Sequence, residues 1–351
     1  MGDSMTNETS KASKYTASRH LPAKSVLVVG ASAGGMHALV KLTRQFEVSF
    51  PAAILIVNHM AASSSSEPLL NELLKNSSLP CKIAAHGENI LAGHVYLAQP
   101  DHHLLISGAN LSVTKGAREN RARPAIDSLF RSAAVAFNSS VIAVVLTGYL
   151  DDGSAGLVAV KRCGGTCIVQ DPADCEYPDM PQNALNQAKI DYCLPIDQMG
   201  ALITGLVKRR KRKPANIPED IAVEAAIAER VLSDLESVER LGEQVPFNCP
   251  GCGGVLWQMK KGGLLRYRCH TGHSYTAATL MAEQKTKMEE TLWIALRMFE
   301  ENRNLLLRMG AQGEASPSYV ERVEQAKIHI ERIRAMLKTS TGHEVRHSDT
   351  N

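Results

Sequence analysis

Residues 24–42 read KSVLVVGASAGGMHALVKL, and the fold class follows from how this stretch divides. Val26–Val29 is continuously apolar, as expected of a strand buried on both faces of a parallel sheet, where no polar alternation survives. Gly30-Ala31-Ser32-Ala33-Gly34-Gly35 then permits a tight turn, and Leu39, Leu42 and Phe46 recur at helical spacing on one face. A strand, a glycine-rich turn and a helix make the opening unit of an α/β domain. The alternation continues outward. Ala53–Val57, Val95–Ala98, Val141–Leu146 and Cys167–Val169 are further apolar runs, and Ile126, Leu129, Phe130, Ala133, Ala134 and Phe137 line another helix face. His103–Ile106 and Leu111–Thr114, around Ser107-Gly108-Ala109-Asn110, predict a small hairpin within the series. Residues 23–207 are therefore expected to form a doubly wound, Rossmann-like parallel sheet.

The 351 residues are 44% hydrophobic and 21% charged, which excludes wholesale disorder. No apolar run reaches the 18 or so residues that cross a bilayer, and residues 1–22 form a polar tail without a signal-peptide core. A cytoplasmic location is expected. Net charge is +3, but Lys208–Lys213 is an unbroken run of six basic residues; without it 33 basic face 36 acidic residues. The folded body thus lacks a nucleic-acid-binding surface, and 208–217 reads as a solvated linker. Beyond it, a helix is expected over 218–243, with Ile227, Val231, Leu235, Val238 and Leu241 on one side and Gly242 as its stop. A Cys- and Gly-rich module over 244–275, a helical hairpin over 276–338 and a polar tail over 339–351 complete the chain.

Open parallel sheets place functional groups beyond the carboxyl ends of their strands. Ser32 follows the first run, Asn58-His59 the second, and Thr147-Gly148-Tyr149-Leu150-Asp151-Asp152-Gly153 follows Val141–Leu146. A serine hydroxyl attacks a carbonyl only when a neutral imidazole takes its proton, and a carboxylate must orient and stabilise that imidazole. Gly30-Ala31-Ser32-Ala33-Gly34 matches the G-x-S-x-G elbow, and the N–H of Ala33 is placed to donate to an oxyanion. The order Ser, His, Asp differs from that of the α/β-hydrolases. Each element taken alone has a plainer reading: a phosphate cradle for the glycine turn, a core histidine for His59, a helix cap for Asp152.

These residues resemble a known family. Residues 24 to about 195 are similar to the catalytic domain of the chemotaxis protein-glutamate methylesterases, the CheB family. The likeness is carried by Val29–Gly35, Val57-Asn58-His59-Met60, Asn120–Phe130, Leu146-Thr147-Gly148 through Gly156, and Met180-Pro181 with Ala184. The resemblance implies hydrolysis of glutamyl methyl esters on the cytoplasmic helices of chemoreceptors, and deamidation of receptor glutamines. Ser32 would be nucleophile, His59 base and Asp152 the orienting acid, chosen over Asp151 because the family's carboxylate immediately precedes the glycine. Ala33 and Tyr149 would supply oxyanion-hole amides, and catalysis would need no cofactor. This sequence departs at Ala33, where the family commonly has threonine, at Ala122 in place of a histidine, and at Leu150 in place of a glycine. Only about 23 residues precede the first strand, too few for the family's usual receiver domain, which implies a stand-alone member.

Cys81, Cys163, Cys167, Cys175 and Cys193 are scattered and read as reduced structural thiols. Cys249-Pro250-Gly251-Cys252 is a knuckle, followed after sixteen residues by Cys269, then His270 and His273. Val255-Leu256-Trp257 and Leu265–Arg268 are strand-like pieces around Lys261-Gly262-Gly263. This is a zinc-ribbon layout with Cys249, Cys252, Cys269 and His273 as ligands, His270 being the alternative. A closed Cys3His site holds a structural metal. The module and the hairpin carrying Leu292, Leu296, Phe299, Leu306 and Met309 read as an arm for a protein partner. The competing functional reading is a non-catalytic scaffold, or a hydrolase of different specificity, on the same fold.

Overall fold

The computed structural model describes residues 21–209, 215–230, 235–311 and 317–341. Most of the basic run, Val231, and the bulk of both tails lie outside these residues. The chain divides into two compact units between Leu280 and Met281.

The first unit is built on β1 (Val26–Ala31), α1 (Gly35–Thr43), β2 (Ala53–Asn58), α2 (Glu67–Asn76), β3 (Cys81–Ile83), β4 (Val95–Leu97), β5 (His103–Ser107), β6 (Asn110–Thr114) and α3 (Ile126–Phe137). It continues through β7 (Val141–Val145), α4 (Ser154–Arg162), β8 (Thr166–Gln170), α5 (Asp179–Gln187), β9 (Tyr192–Leu194) and α6 (Ile196–Lys208). Seven strands pair in parallel in the order β3-β4-β2-β1-β7-β8-β9. The chain winds outward from β1 in one direction and then, from β7, in the other. The switch point therefore lies between β1 and β7, where such sheets form their crevice.

The apolar runs are continuous because both faces of the sheet are covered. Val26 and Val28 point into a core with Ile126, Leu129, Phe130 and Leu157. Leu27 and Val29, on the opposite face, pack against Leu39, Leu42, Ile196, Met199 and Ile203. Each such fully buried side chain contributes about 1.5–3 kcal/mol. Phe46 is buried as its spacing suggested, though α1 ends at Thr43. The short edge strands β3 and β9 have no counterpart among the apolar runs of the sequence. The hairpin β5–β6 pairs antiparallel, as expected.

Of the stretch expected as a helix over 218–243, the described residues form α7 (Glu219–Arg230) and α8 (Leu235–Leu241), and 231–234 lie outside the described residues. Leu235 is exposed, whereas Ile227, Val238 and Leu241 pack with Trp257 and Met259. From Gly242 the chain enters a four-stranded antiparallel sheet, β10 (Gly242–Asn248), β11 (Val255–Met259), β12 (Arg266–Cys269) and β13 (Ser274–Thr276). Four strands thus replace the two pieces read from the sequence. α9 (Ala277–Met309) follows, its first turn belonging to this unit.

A buried ion cluster ties this small sheet to the large one. Arg131 on α3 donates to Glu119 at 2.6 and 2.7 Å and lies 3.3 Å from Glu224 of α7. Arg266 forks onto Glu224 at 2.7 and 2.9 Å, and Arg268 reaches Glu119 at 3.0 Å. Burial alone would push the Glu119 carboxyl up, but Arg131 and Arg268 hold it down at about 2.

The second unit comprises the rest of α9 and α10 (Pro317–Thr341). Leu296, Ile330, Ile333 and Leu337 form its core, Phe299 stacks on His329, and Arg334 pairs with Glu300 at 2.8 Å. No helix among the described residues is long and apolar enough to cross a membrane.

Candidate active site and metal centre

Ala31 and Asn58 are the last registered pair of β1 and β2, so Ser32 and His59 emerge side by side from adjacent strand ends. The His59 N–H donates to Ala31 O at 3.0 Å, and the Ser32 N–H to Thr147 O at 3.0 Å, which joins the third strand end to the first two. Gly148 is required here by close approach: a Cβ on it would lie 2.6 Å from that of Ser32 and 3.0 Å from Met180 Cε. The Thr147–Leu150 loop is stapled to α5 and the segment before it. Gly148 N donates to Tyr177 O at 2.9 Å, Met180 N to Gly148 O at 2.9 Å, and Asn183 Nδ2 to Leu150 O at 2.8 Å. Tyr149 is half-exposed with its ring 4.7 Å from that of Tyr177. Leu150 holds φ at 64°, the left-handed region that a glycine would occupy freely. Among the described residues, neither the Ala33 nor the Tyr149 N–H donates to a protein group.

His59 Nε2 lies 2.8 Å from Asp152 Oδ2. Asp152 is saturated with donors. Oδ2 also accepts from Ile126 N at 2.7 Å, and Oδ1 accepts from Asn120 Nδ2 at 3.0 Å, Asp127 N at 3.1 Å and Gly153 N at 3.0 Å. Two of these amides open α3, so its N-terminal dipole also favours the anion. Burial works against the charge, but the hydrogen bond and charge of His59, with Asn120 and the Ile126 amide, hold Asp152 below the ordinary carboxylate range. An ionised carboxylate only accepts, so Nε2 carries the imidazole proton and Nδ1 is left with its lone pair. Asp151 is equally buried, but burial pushes its carboxyl up, and the hydrogen bond to His59 goes to Asp152 instead.

Two residues that sequence reasoning gave no role complete this arrangement. Asn120 Nδ2 bridges the two carboxylates, donating to Asp127 Oδ2 at 2.7 Å as well as to Asp152. Asp127 Oδ1 accepts from Gly153 N at 2.9 Å and Gly156 N at 2.6 Å, fixing the turn into α4. Burial, and then the charge of Asp152, push Asp127 up to about 8. Both lie inside the Asn120–Phe130 stretch that carried the family resemblance.

At the second centre, ligand atoms of Cys249, Cys252, Cys269 and His273 all lie within 4.8 Å of one another. A tetrahedral zinc with bonds of about 2.3 Å to sulfur implies ligand–ligand edges of about 3.8 Å, slightly less to nitrogen. Cys252 Sγ lies 3.7 Å from Cys269 Sγ, and His273 Nδ1 lies 3.5 Å from Cys269 Sγ, so the donor set fits such an ion. The Thr271 hydroxyl lies 2.8 and 3.0 Å from the sulfurs of Cys269 and Cys252, where it can donate to thiolates. His270 stands beside Gly254, exposed, and is not one of the four.

A family model described as CheB methylesterase matches residues 27–203. A candidate protein-glutamate methylesterase/protein-glutamine glutaminase of Leptospira interrogans is 36% identical over 181 residues, covering 51% of this chain and 93% of that protein. Protein-glutamate methylesterase/protein-glutamine glutaminase 1 of Geobacter metallireducens is 36% identical, covering 52% of this chain and 51% of its own length. The crystal structure of the Thermotoga maritima CheB methylesterase catalytic domain superposes with a TM-score of 0.50 at 33% identity, covering 52% of this chain and 98% of that one.

Proposed function

The chain belongs to the CheB methylesterase family, and from that premise we propose that it is a serine hydrolase demethylating glutamate 5-O-methyl esters on methyl-accepting chemotaxis receptors. The reading rests above all on the 2.8 Å contact between His59 and the donor-saturated Asp152, beside Ser32 at the switch point of the sheet. In this mechanism Ser32 Oγ attacks the ester carbonyl while Nδ1 of His59 takes its proton. Asp152 holds the imidazole by Nε2 and stabilises the imidazolium. The carbonyl oxygen becomes an oxyanion facing the free Ala33 and Tyr149 amides. Collapse expels methoxide, which leaves as methanol with the proton from His59. Water, deprotonated by His59, then cleaves the acyl-enzyme and returns glutamate and free Ser32. The same steps on glutamine would release ammonia.

The Cys3His donor set supports a structural zinc, because four protein ligands leave no position for substrate. Methanol release from methyl-esterified receptor, with wild type and Ser32→Ala in parallel, tests the catalytic reading. Release is expected from wild type and not from the variant. No release from folded, zinc-loaded wild type would leave the non-catalytic scaffold as the better account.

A further inference from the structure

Asn120 binds in two directions. Its Nδ2 holds Asp152 and Asp127, but its remaining contacts run to the small sheet. Asn120 N donates to Ser274 O at 2.8 Å, and its Oδ1 accepts from Thr276 N at 3.1 Å and from the Thr279 hydroxyl at 3.4 Å. The loop that carries it is strained, with φ of 48° at Asn120 and 69° at Arg121. Consecutive left-handed residues other than glycine persist only where their surroundings enforce them. Ala122 N on Glu119 O at 2.9 Å and Glu119 N on Ala122 O at 3.2 Å close this turn, and the ribbon holds it from outside. Arg268 holds the neighbouring Glu119 and donates by Nη1 to Gly272 O at 3.0 Å, inside the turn between Cys269 and His273. That turn is closed by Gly272 N on Cys269 O and Cys269 N on His273 O, both at 3.0 Å. Ser274, which holds Asn120, is the residue after His273.

We propose that the Cys/His ribbon completes the esterase site: β13 holds Asn120 as a positioning residue for Asp152, so an ordered Cys249–Cys252–Cys269–His273 centre is a condition for a competent triad. The proposal rests on the hydrolase reading of Ser32, His59 and Asp152. Without the ribbon's grip, Asp152 keeps its amide donors from Asp127 and Gly153 but loses the amide it shares with Asp127. The Asp152 anion then has one donor fewer to stabilise it, and it takes a proton more readily. The titratable and charged groups that act on Asp152 are His59, Asp127, the adjacent Asp151 and the buried His103, with Arg131 and Arg266 acting through Asp127.

The test uses the full chain, a fluorophosphonate that labels Ser32, and labelling rate as a function of pH. Asn120→Gly removes the amide while tolerating the positive φ, and chelator-stripped wild type is compared before and after Zn2+ is restored. We expect labelling to slow about tenfold or more in both, with the acid limb of the profile moved up by about one pH unit as Asp152 loses a donor. Zinc should rescue stripped wild type and not Asn120→Gly. Stripping the variant should add little further loss, since both changes cut one path. Unchanged rate and profile in folded Asn120→Gly, or in stripped wild type, overturn the proposal. If stripping unfolds the chain, the zinc-loaded variant alone decides. Absence of labelling in zinc-loaded wild type would instead defeat the hydrolase reading itself.

Discussion

At the scale of single residues, the site shows where side-chain type conflicts with local geometry. Leu150 sits at φ 64° and is partly exposed, so it holds a strained backbone with only partial burial in return. Left-handed geometry costs about 1–2 kcal/mol for such a residue, and the extra freedom of unfolded glycine takes back about 0.5–1. Leu150→Gly is therefore expected to raise stability by up to about 1 kcal/mol in urea unfolding; destabilisation would mean the leucine side chain has a packing role. Asp127 offers a pH test. Its carboxyl is raised to about 8 in the folded chain, so between about 4 and about 8 the native state binds more protons than the unfolded one. Over that window its burial costs more as pH rises. The stability of Asp127→Asn relative to wild type should therefore improve steadily from pH 5 to pH 8. A pH-independent difference would show that Asp127 is ionised throughout. Ser32, His59 and Asp152 could be singled out because each follows an apolar run. Asn120 and Asp127 could not, since a role as bridge between two carboxylates leaves no periodic mark.

Among the elements, α3 departs furthest from its sequence pattern. Its apolar positions predict one buried face, yet Ile126 through Ala134 are all buried. The polar side is covered too: Ser128 meets His103, Ser132 receives Ile106 N, and Arg131 enters the ion cluster. A hint was present, because that side carries Asp127, Ser128, Arg131 and Ser132 but no lysine or glutamate, the residues that usually face water. Removing one partner of a buried pair leaves the other charge unpaired, at about 3–5 kcal/mol. Arg131→Met should destabilise by that amount in urea; a loss below about 1 kcal/mol would show that Arg268 alone satisfies Glu119. The inner strands were legible from five apolar runs. β3 and β9 were not, because three residues at a sheet edge carry no pattern.

Across the whole molecule, the union of the large and small sheets could not be read from the sequence, since ion pairs between distant residues leave no local trace. If zinc fills the Cys3His centre, its binding free energy adds to the stability of the unit that contains it. Zinc at 1,000 times its Kd contributes about 4 kcal/mol, or roughly 10 °C in Tm for a unit of this size. Metal analysis should return one zinc per chain, and chelation should lower Tm by about that much; a metal-free preparation of equal Tm would reject the assignment. The buried cluster also bears on heredity. Glu119 and Arg268 are 149 residues apart in the chain yet share one hydrogen bond in the interior. A recombination event between their codons that imported an unrelated partner segment would remove Arg268 and leave Glu119 with Arg131 as its guanidinium partner. The two parts are then best inherited together, and a chimera of this sheet with a foreign ribbon, which keeps Arg131 on Glu119 but lacks Arg268, is expected to unfold at lower urea than the parent chain.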